Sequence, residues 1–251
     1  MKLDCVITSV NNNDLYIDFI PLFIKTWNKL YPKVDVKIIL IHNEIPEKIQ
    51  DHKKNIILFK PIPNISSSFI SQYIRMLYPG ILNYKNGVMI TDMDILPMNR
   101  QYYTENIKNI ENNKFVYMRN VLLNVKEIAM CYNVATPNTW ASIFKIKSLD
   151  DIIKKLTHIS EKHQYDGIPG GKGWNLDQLD LYKNVQEWHK QTGNFVILND
   201  NSTGYYRLDR ANFLFNQTTI YNIKCGKYSD YHCLRPYSQY EGINETIYEL
   251  L

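Results

Sequence analysis

The sequence predicts an α/β fold: a mostly parallel sheet flanked by helices, with a less regular C-terminal half. Three observations carry the prediction. Short β-branched runs alternate with segments of helical apolar spacing over the first hundred residues, the signature of a doubly wound sheet. The run "GVMITD" (87–92) is apolar on both faces, as a central strand of a parallel sheet requires. The 251-residue chain is 45% hydrophobic and 22% charged, an ordinary globular balance with ample length for a core.

The elements follow in order. "LDCVITSV" (3–10) is a first strand, and "DLYIDFIPLFIKTWNKL" a helix started or interrupted at Pro21. "VDVKIILIH" (34–42) and "NIILF" (55–59) are the second and third strands. In "SSSFISQYIRMLYPGILNY" (66–84) apolar pairs recur every four residues, predicting an amphipathic helix that Pro79-Gly80 ends or kinks. Beyond residue 100 the pattern loosens. Strands are expected at 114–121, 127–135 and 194–199, a helix at 149–163, and a glycine-rich loop leading into a helix across 165–182. No repeat or linker divides the chain, so one domain spans 1–251, a regular half (1–100) followed by a less regular one (101–251).

Bulk properties narrow the partners. The net charge is +4 and the pI near 8.7, with the basic residues scattered. That suits a small anionic ligand better than a nucleic-acid track. Asp4 interrupts the N-terminal apolar run and no stretch reaches membrane-span length. The four cysteines, Cys5, Cys131, Cys225 and Cys233, are irregularly spaced. A reduced, cytoplasmic protein is expected. A zinc site at Cys225, His232 and Cys233 lacks a C-x-x-C partner.

The chemistry concentrates at "TDMD". Two carboxylates one residue apart at the exit of a central strand repel each other unless something positive stands between them. In extended backbone Asp92 and Asp94 point the same way and could share one divalent cation, Mn²⁺ or Mg²⁺; the alternative is a turn pair. Ligands of doubly wound sheets sit at the carboxyl ends of the strands. Arg75, off its helix's apolar stripe, could reach a phosphate there, or lie on the surface. "GGKGWNLDQLD" brings Lys172 and Trp174 on a flexible loop to Asp177 and Gln178 at a helix start, which suits a substrate-covering segment; simple capping by Asn175 and Asp177 is the other reading. In "DYHCLRPY", His232 could complete a metal's coordination and Arg235 neutralise phosphate.

The stretch "QYIRMLYPGILNYKNGVMITDMDILP" resembles the GT-A nucleotide-sugar glycosyltransferases, in particular the retaining group of glycogenin and the bacterial lipopolysaccharide galactosyltransferases. The resemblance rests on an R-hydrophobic-hydrophobic-x-P helix followed by a strand ending in D-x-D. It implies a Rossmann-like GT-A fold and metal-dependent transfer of a sugar from a nucleoside-diphosphate sugar, UDP favoured and GDP possible, to a carbohydrate or other hydroxyl acceptor, with retention. It places Arg75 on the nucleotide, Asp92 and Asp94 on the metal, Asp177-Gln178 on the acceptor side, and His232 with Arg235-Pro236-Tyr237 at the third metal ligand and phosphate. "TSVNNNDLY" loosely echoes the family's base-contacting pattern, which puts Thr8, Ser9 and Tyr16 there. The chain departs from the family in Ile90-Thr91 before the first aspartate and in a short His-to-Pro interval, which makes Asp230 the substitute third ligand. A sugar nucleotidyltransferase would use the same carboxylates but needs a glycine-rich phosphate loop after the first strand. A non-catalytic nucleotide- or sugar-binding module of the same fold is the third possibility.

Overall fold

The computed structural model describes residues 1–251. Strand β1 (Leu3–Asn11) pairs in parallel with β2 (Asp35–Ile41) on one side and β4 (Gly87–Ile90) on the other, and β2 pairs in parallel with β3 (Ile56–Phe59). The sheet continues from β4 through β7 (Asn133–Ala135), β6 (Phe115–Tyr117) and β8 (Phe195–Ile197), in the order β3-β2-β1-β4-β7-β6-β8. Here β7 runs antiparallel to both β4 and β6, while β6 and β8 are parallel. The expected mostly parallel α/β sheet is observed. The expected strand at 127–135 shortens to three residues, because Ala129, Met130 and Cys131 leave the sheet to wall a cavity.

The β-branched residues of β1 and β2 fill both faces. Val6 and Val10 pack toward α1 (Ile20–Leu30), whose Pro21 stands in the first turn, where no backbone donor is needed. Cys5 and Ile7 pack toward α2 (Ser67–Leu77). Helix α2 ends where Pro79 and Gly80 draw the chain into a 3-10 turn, Tyr78–Ile81. A Cβ on Gly80 would stand 3.0 Å from the Ala141 Cα, so this glycine sets how closely the helix carrying Ala141 approaches.

After β4 come β5 (Ile95–Pro97), α3 (Tyr102–Glu105) and α4 (Pro137–Phe144), the last capped by the Thr136 side chain. Helices α5 (Leu149–Lys162) and α6 (Leu176–Thr192) cover the α2 face of the sheet. The remainder is α7 (Asp200–Thr203), β9 (Arg207–Asp209), α8 (Gln217–Lys224), β10 (Asp230–His232) and α9 (Tyr237–Leu250). A second small sheet, β5-β10-β9, holds β10 antiparallel to β5 and parallel to β9. This sheet has no counterpart in the sequence pattern, because its strands are three residues each, too short for alternation to register. No helix is long and apolar enough to cross a membrane, and all four cysteines are free.

Candidate functional site

A cavity of about 400 Å³ opens at the carboxyl ends of β1 and β4, where an open α/β sheet places its ligands. Its walls come from four places: the end of β1 and the loop to Tyr16, the polar face of α2, the loop 165–174 running into α6, and the small sheet with its flanks.

Helical spacing aligns Ser68, Ser71, Gln72 and Arg75 on the cavity side of α2. Arg75 is nearly buried, its side chain 11% exposed. It donates to the Gln72 carbonyl (3.3 Å), the Thr91 carbonyl (3.4 Å), the carboxylate of Asp92 and Oδ2 of Asp177 (3.3 Å). Burial alone would weaken its charge, but Asp92 and Asp177 hold it firmly protonated.

Strand β4 stops at Ile90, so Asp92, Met93 and Asp94 form a turn leading into β5, not an extended segment. The expectation that both aspartates point one way is therefore corrected. Asp92 turns to Arg75 and remains 31% exposed. Asp94 is buried, and its Oδ2 accepts from Nη1 of Arg210 at 2.6 Å and from Nη1 of Arg235 at 3.4 Å, with Nε2 of His232 3.6 Å away. Burial pushes the Asp94 carboxyl up, but His232 and Arg210 outweigh it and hold the group well below the usual carboxylate range.

The small sheet assembles this half of the site. His232 pairs with Ile95 of β5 on one side and with Asp209 of β9 on the other, and the amide of Cys233 donates to the Asp94 carbonyl at 2.9 Å. Three residues distant in sequence, Asp94, Arg210 and His232, thereby meet. Arg235 reaches the same cavity while donating to the Tyr16 hydroxyl, over whose ring its guanidinium lies 5.0 Å from the centroid.

On the opposite wall, Asp177 is 3% exposed, with Oδ2 on Arg75 and Oδ1 accepting the Gln178 amide at 2.9 Å. Burial pushes its carboxyl up to about 6, against the opposing pull of Arg75. Asn175 does not cap α6; its side chain reaches Glu127 instead, at 3.4 Å. The approach loop is closed by Gly173 at φ +77°, where a Cβ would stand 2.4 Å from the Gln164 carbonyl oxygen, so no other residue fits without moving the loop.

Of the residues singled out from sequence, Ser9, Tyr16, Arg75, Asp92, Asp94, Asp177, Gln178, His232 and Arg235 all line this one cavity. Two do not. Thr8 is fully buried on the face of β1 opposite Ser9, since alternation sends only one of two neighbours toward α2, and it cannot touch a ligand. Lys172 is exposed and faces Gln164 at 3.4 Å, outside the cavity. Asp230 is excluded as a third metal ligand: it is fully buried and bound by Arg207, Tyr132 and Tyr205. Cys225 is exposed while Cys233 is buried, and no three metal-binding side chains gather around them.

Sequence reasoning missed Arg210 and the Met130–Cys131 wall. Nothing in "LDRAN" marks Arg210, whereas the spacing of Ser68, Ser71 and Gln72 back from Arg75 could have identified that face.

No protein-family model matches the chain, and no curated protein matches it in sequence. Solved structures do. The galactosyltransferase LgtC in complex with donor and acceptor sugar analogs aligns over 98% of this chain and 94% of its own, at 13% identity and a TM-score of 0.52. The apo form of the glycosyltransferase GlyE from Streptococcus pneumoniae TIGR4 aligns over all of this chain and 60% of its own, at 15% identity and a TM-score of 0.53. The fold is that of GT-A glycosyltransferases.

Proposed function

We propose that the chain is a metal-dependent glycosyltransferase that moves a sugar from a nucleoside-diphosphate sugar, UDP-linked in preference to GDP-linked, to a hydroxyl acceptor with retention. The observation that carries the reading is the convergence of Arg75, Arg210 and Arg235 with Asp92, Asp94 and His232 on one cavity in a glycosyltransferase fold. The donor set fits a hard or borderline cation. The side-chain contacts of Asp94 all fall on Oδ2, leaving Oδ1 without a protein partner, and His232 turns Nε2 toward Asp94 while its Nδ1 faces Asp209 at 3.5 Å. When bound at Asp92, Asp94 and His232, Mn²⁺ or Mg²⁺ would supply Lewis-acid neutralisation of phosphate charge.

The chain's own residues account for the remaining steps. As the bond between the anomeric carbon and the diphosphate oxygen breaks, negative charge collects on the leaving diphosphate, and the guanidiniums of Arg210 and Arg235 face it across the cavity. Tyr16 and Ser9 stand at the end of β1, where a nucleoside would enter. Asp177 and Gln178 close the sugar's far side, and Trp174 with Tyr165 supplies aromatic surface to an acceptor sugar. Retention is favoured by a shortage of bases. The lining carboxylates are Asp92, Asp94 and Asp177, and each is paired with an arginine. An inverting reaction needs one of them free to take the acceptor proton.

A thermal-shift panel of UDP, GDP and CDP with and without Mn²⁺ tests the reading. One nucleoside diphosphate should stabilise the protein by about 2.7 kcal/mol at a hundredfold excess over its Kd, and only with the ion. No stabilisation by any of them overturns it. Anomeric configuration of the product by NMR decides retention.

A further inference from the structure

Two arginines at the cavity have side-chain anchors other than Asp94. Arg75 is held by two carboxylates and two carbonyls, and Arg235 by Tyr16. Arg210 is different. It sits in a short 3-10 turn, Arg210–Asn212, just after β9, and its side chain is 22% exposed. Its hydrogen bonds run from Nη1 alone, to Asp94 Oδ2 at 2.6 Å and to the Cys233 carbonyl at 3.2 Å. A guanidinium carries five N–H donors in a fork suited to phosphate, and most of this fork is unused beside the cavity. With Arg75 on Asp92 and Arg210 on Asp94, no three metal-binding side chains are gathered closely enough to hold an ion.

We propose that Arg210 is an internal counter-cation that occupies Asp94 while the cavity is empty and transfers to the donor's diphosphate when the donor binds. In the empty site its positive charge opposes a divalent ion at the same carboxylate. A diphosphate offers the guanidinium a bidentate anionic partner, and its departure leaves Asp94 with only the longer contact from Arg235, at 3.4 Å. Divalent ion and diphosphate then bind as a coupled pair, each raising the other's affinity by the same factor. This assignment rests on the glycosyl-transfer reading.

The test measures free Mn²⁺ by EPR in titrations of the full chain, with Mn²⁺ alone and with Mn²⁺ plus inorganic pyrophosphate or UDP. Arg210→Gln should bind Mn²⁺ alone about tenfold tighter than the wild type, yet bind pyrophosphate or UDP with Mn²⁺ about tenfold more weakly, toward the lower end of the usual coupling range. The gain for Mn²⁺ alone should vanish when Asp94→Asn is added, which separates this site from surface carboxylates. Affinities that both fall, both rise or both stay put overturn the proposal. Should Arg210→Gln not fold, Arg210→Lys carries the test. A lysine keeps the charge without the fork, so Mn²⁺ alone should bind as in the wild type and pyrophosphate with Mn²⁺ at least about fivefold more weakly; tighter Mn²⁺ or unchanged pyrophosphate overturns it. If the wild type binds no nucleotide with Mn²⁺, the glycosyl-transfer reading fails. If it binds one but the opposite-sign split is missing, only the role of Arg210 does.

Discussion

Strand β10 carries a carboxylate and an imidazole two residues apart, Asp230 and His232, and they serve opposite ends. At Asp230 the carboxylate is fully buried and saturated. Arg207, its register neighbour on β9, grips it with Nε on Oδ1 and Nη2 on Oδ2, both at 2.8 Å. Tyr205 donates to it at 2.7 Å and Tyr132 also donates. Next to it Arg119 is bidentate on Asp200 and stacks 3.7 Å above the Tyr205 ring. At His232 the strand enters the cavity, and the carboxylate there, Asp94, is held by single contacts from arginines that have unused donors. Both clusters are carboxylates facing arginines. A carboxylate that accepts four hydrogen bonds and is shut off from solvent can only hold the fold together, whereas one with an unpaired oxygen at the wall of a cavity can exchange partners.

That contrast can be broken by mutation. The largest effect is expected from Asp230→Ala, which strands Arg207 in the interior and should cost about 3–5 kcal/mol of unfolding free energy, read from the denaturant midpoint. Asp94→Asn should instead lower the transfer rate roughly 10²–10³-fold, as for loss of one preorganised electrostatic contact. Its stability cost should stay near about 1–2 kcal/mol, because Arg210 and Arg235 can turn to cavity water. Equal stability losses in the two variants would erase the distinction.

A third prediction sharpens the intermediate case, Asp177, which is buried like Asp230 but lines the cavity like Asp94. Its folded-state pKa of about 6 lies above the ordinary 3.8. The folded protein therefore holds a proton that the unfolded chain releases. The stability this contributes is complete below pH 4 and is lost as pH rises through 6. Relative to Asp177→Asn, the wild type should lose about 1.4 kcal/mol per pH unit between pH 4 and 6 and nothing further above it. A constant difference from pH 4 to 8 would show that Asp177 is ionised throughout.

Much of the site was legible because its residues lie on elements with a clear period. The four-residue recurrence in α2 puts Arg75 off the apolar stripe, and the doubly apolar "GVMI" places the aspartates at a strand exit. The errors came where a period exists but its phase does not. Alternation says that Thr8 and Ser9 face opposite ways along β1; which of them meets α2 is set by the sheet's packing. Asp230 stayed open as the substitute for His232 for a different reason: the two lie two residues apart on β10, where alternation puts them on one face and cannot separate them. Lys172 and Trp174 lie two residues apart in a glycine-rich loop, where no period applies, and only Trp174 turns inward.

The sequence by itself determined the alternation of strands and helices, the central strand, and the presence of paired carboxylates that require a positive partner, because burial, periodicity and like-charge repulsion act within a few residues. Only the tertiary structure decided who that partner is. Asp94 is separated from Arg210 and Arg235 by more than a hundred residues of chain, and they meet because β5, β9 and β10, each too short to announce itself, hydrogen-bond into one small sheet. Backbone pairing between distant segments is a property of the folded whole, and it places an arginine on the carboxylate that the sequence assigned to a metal.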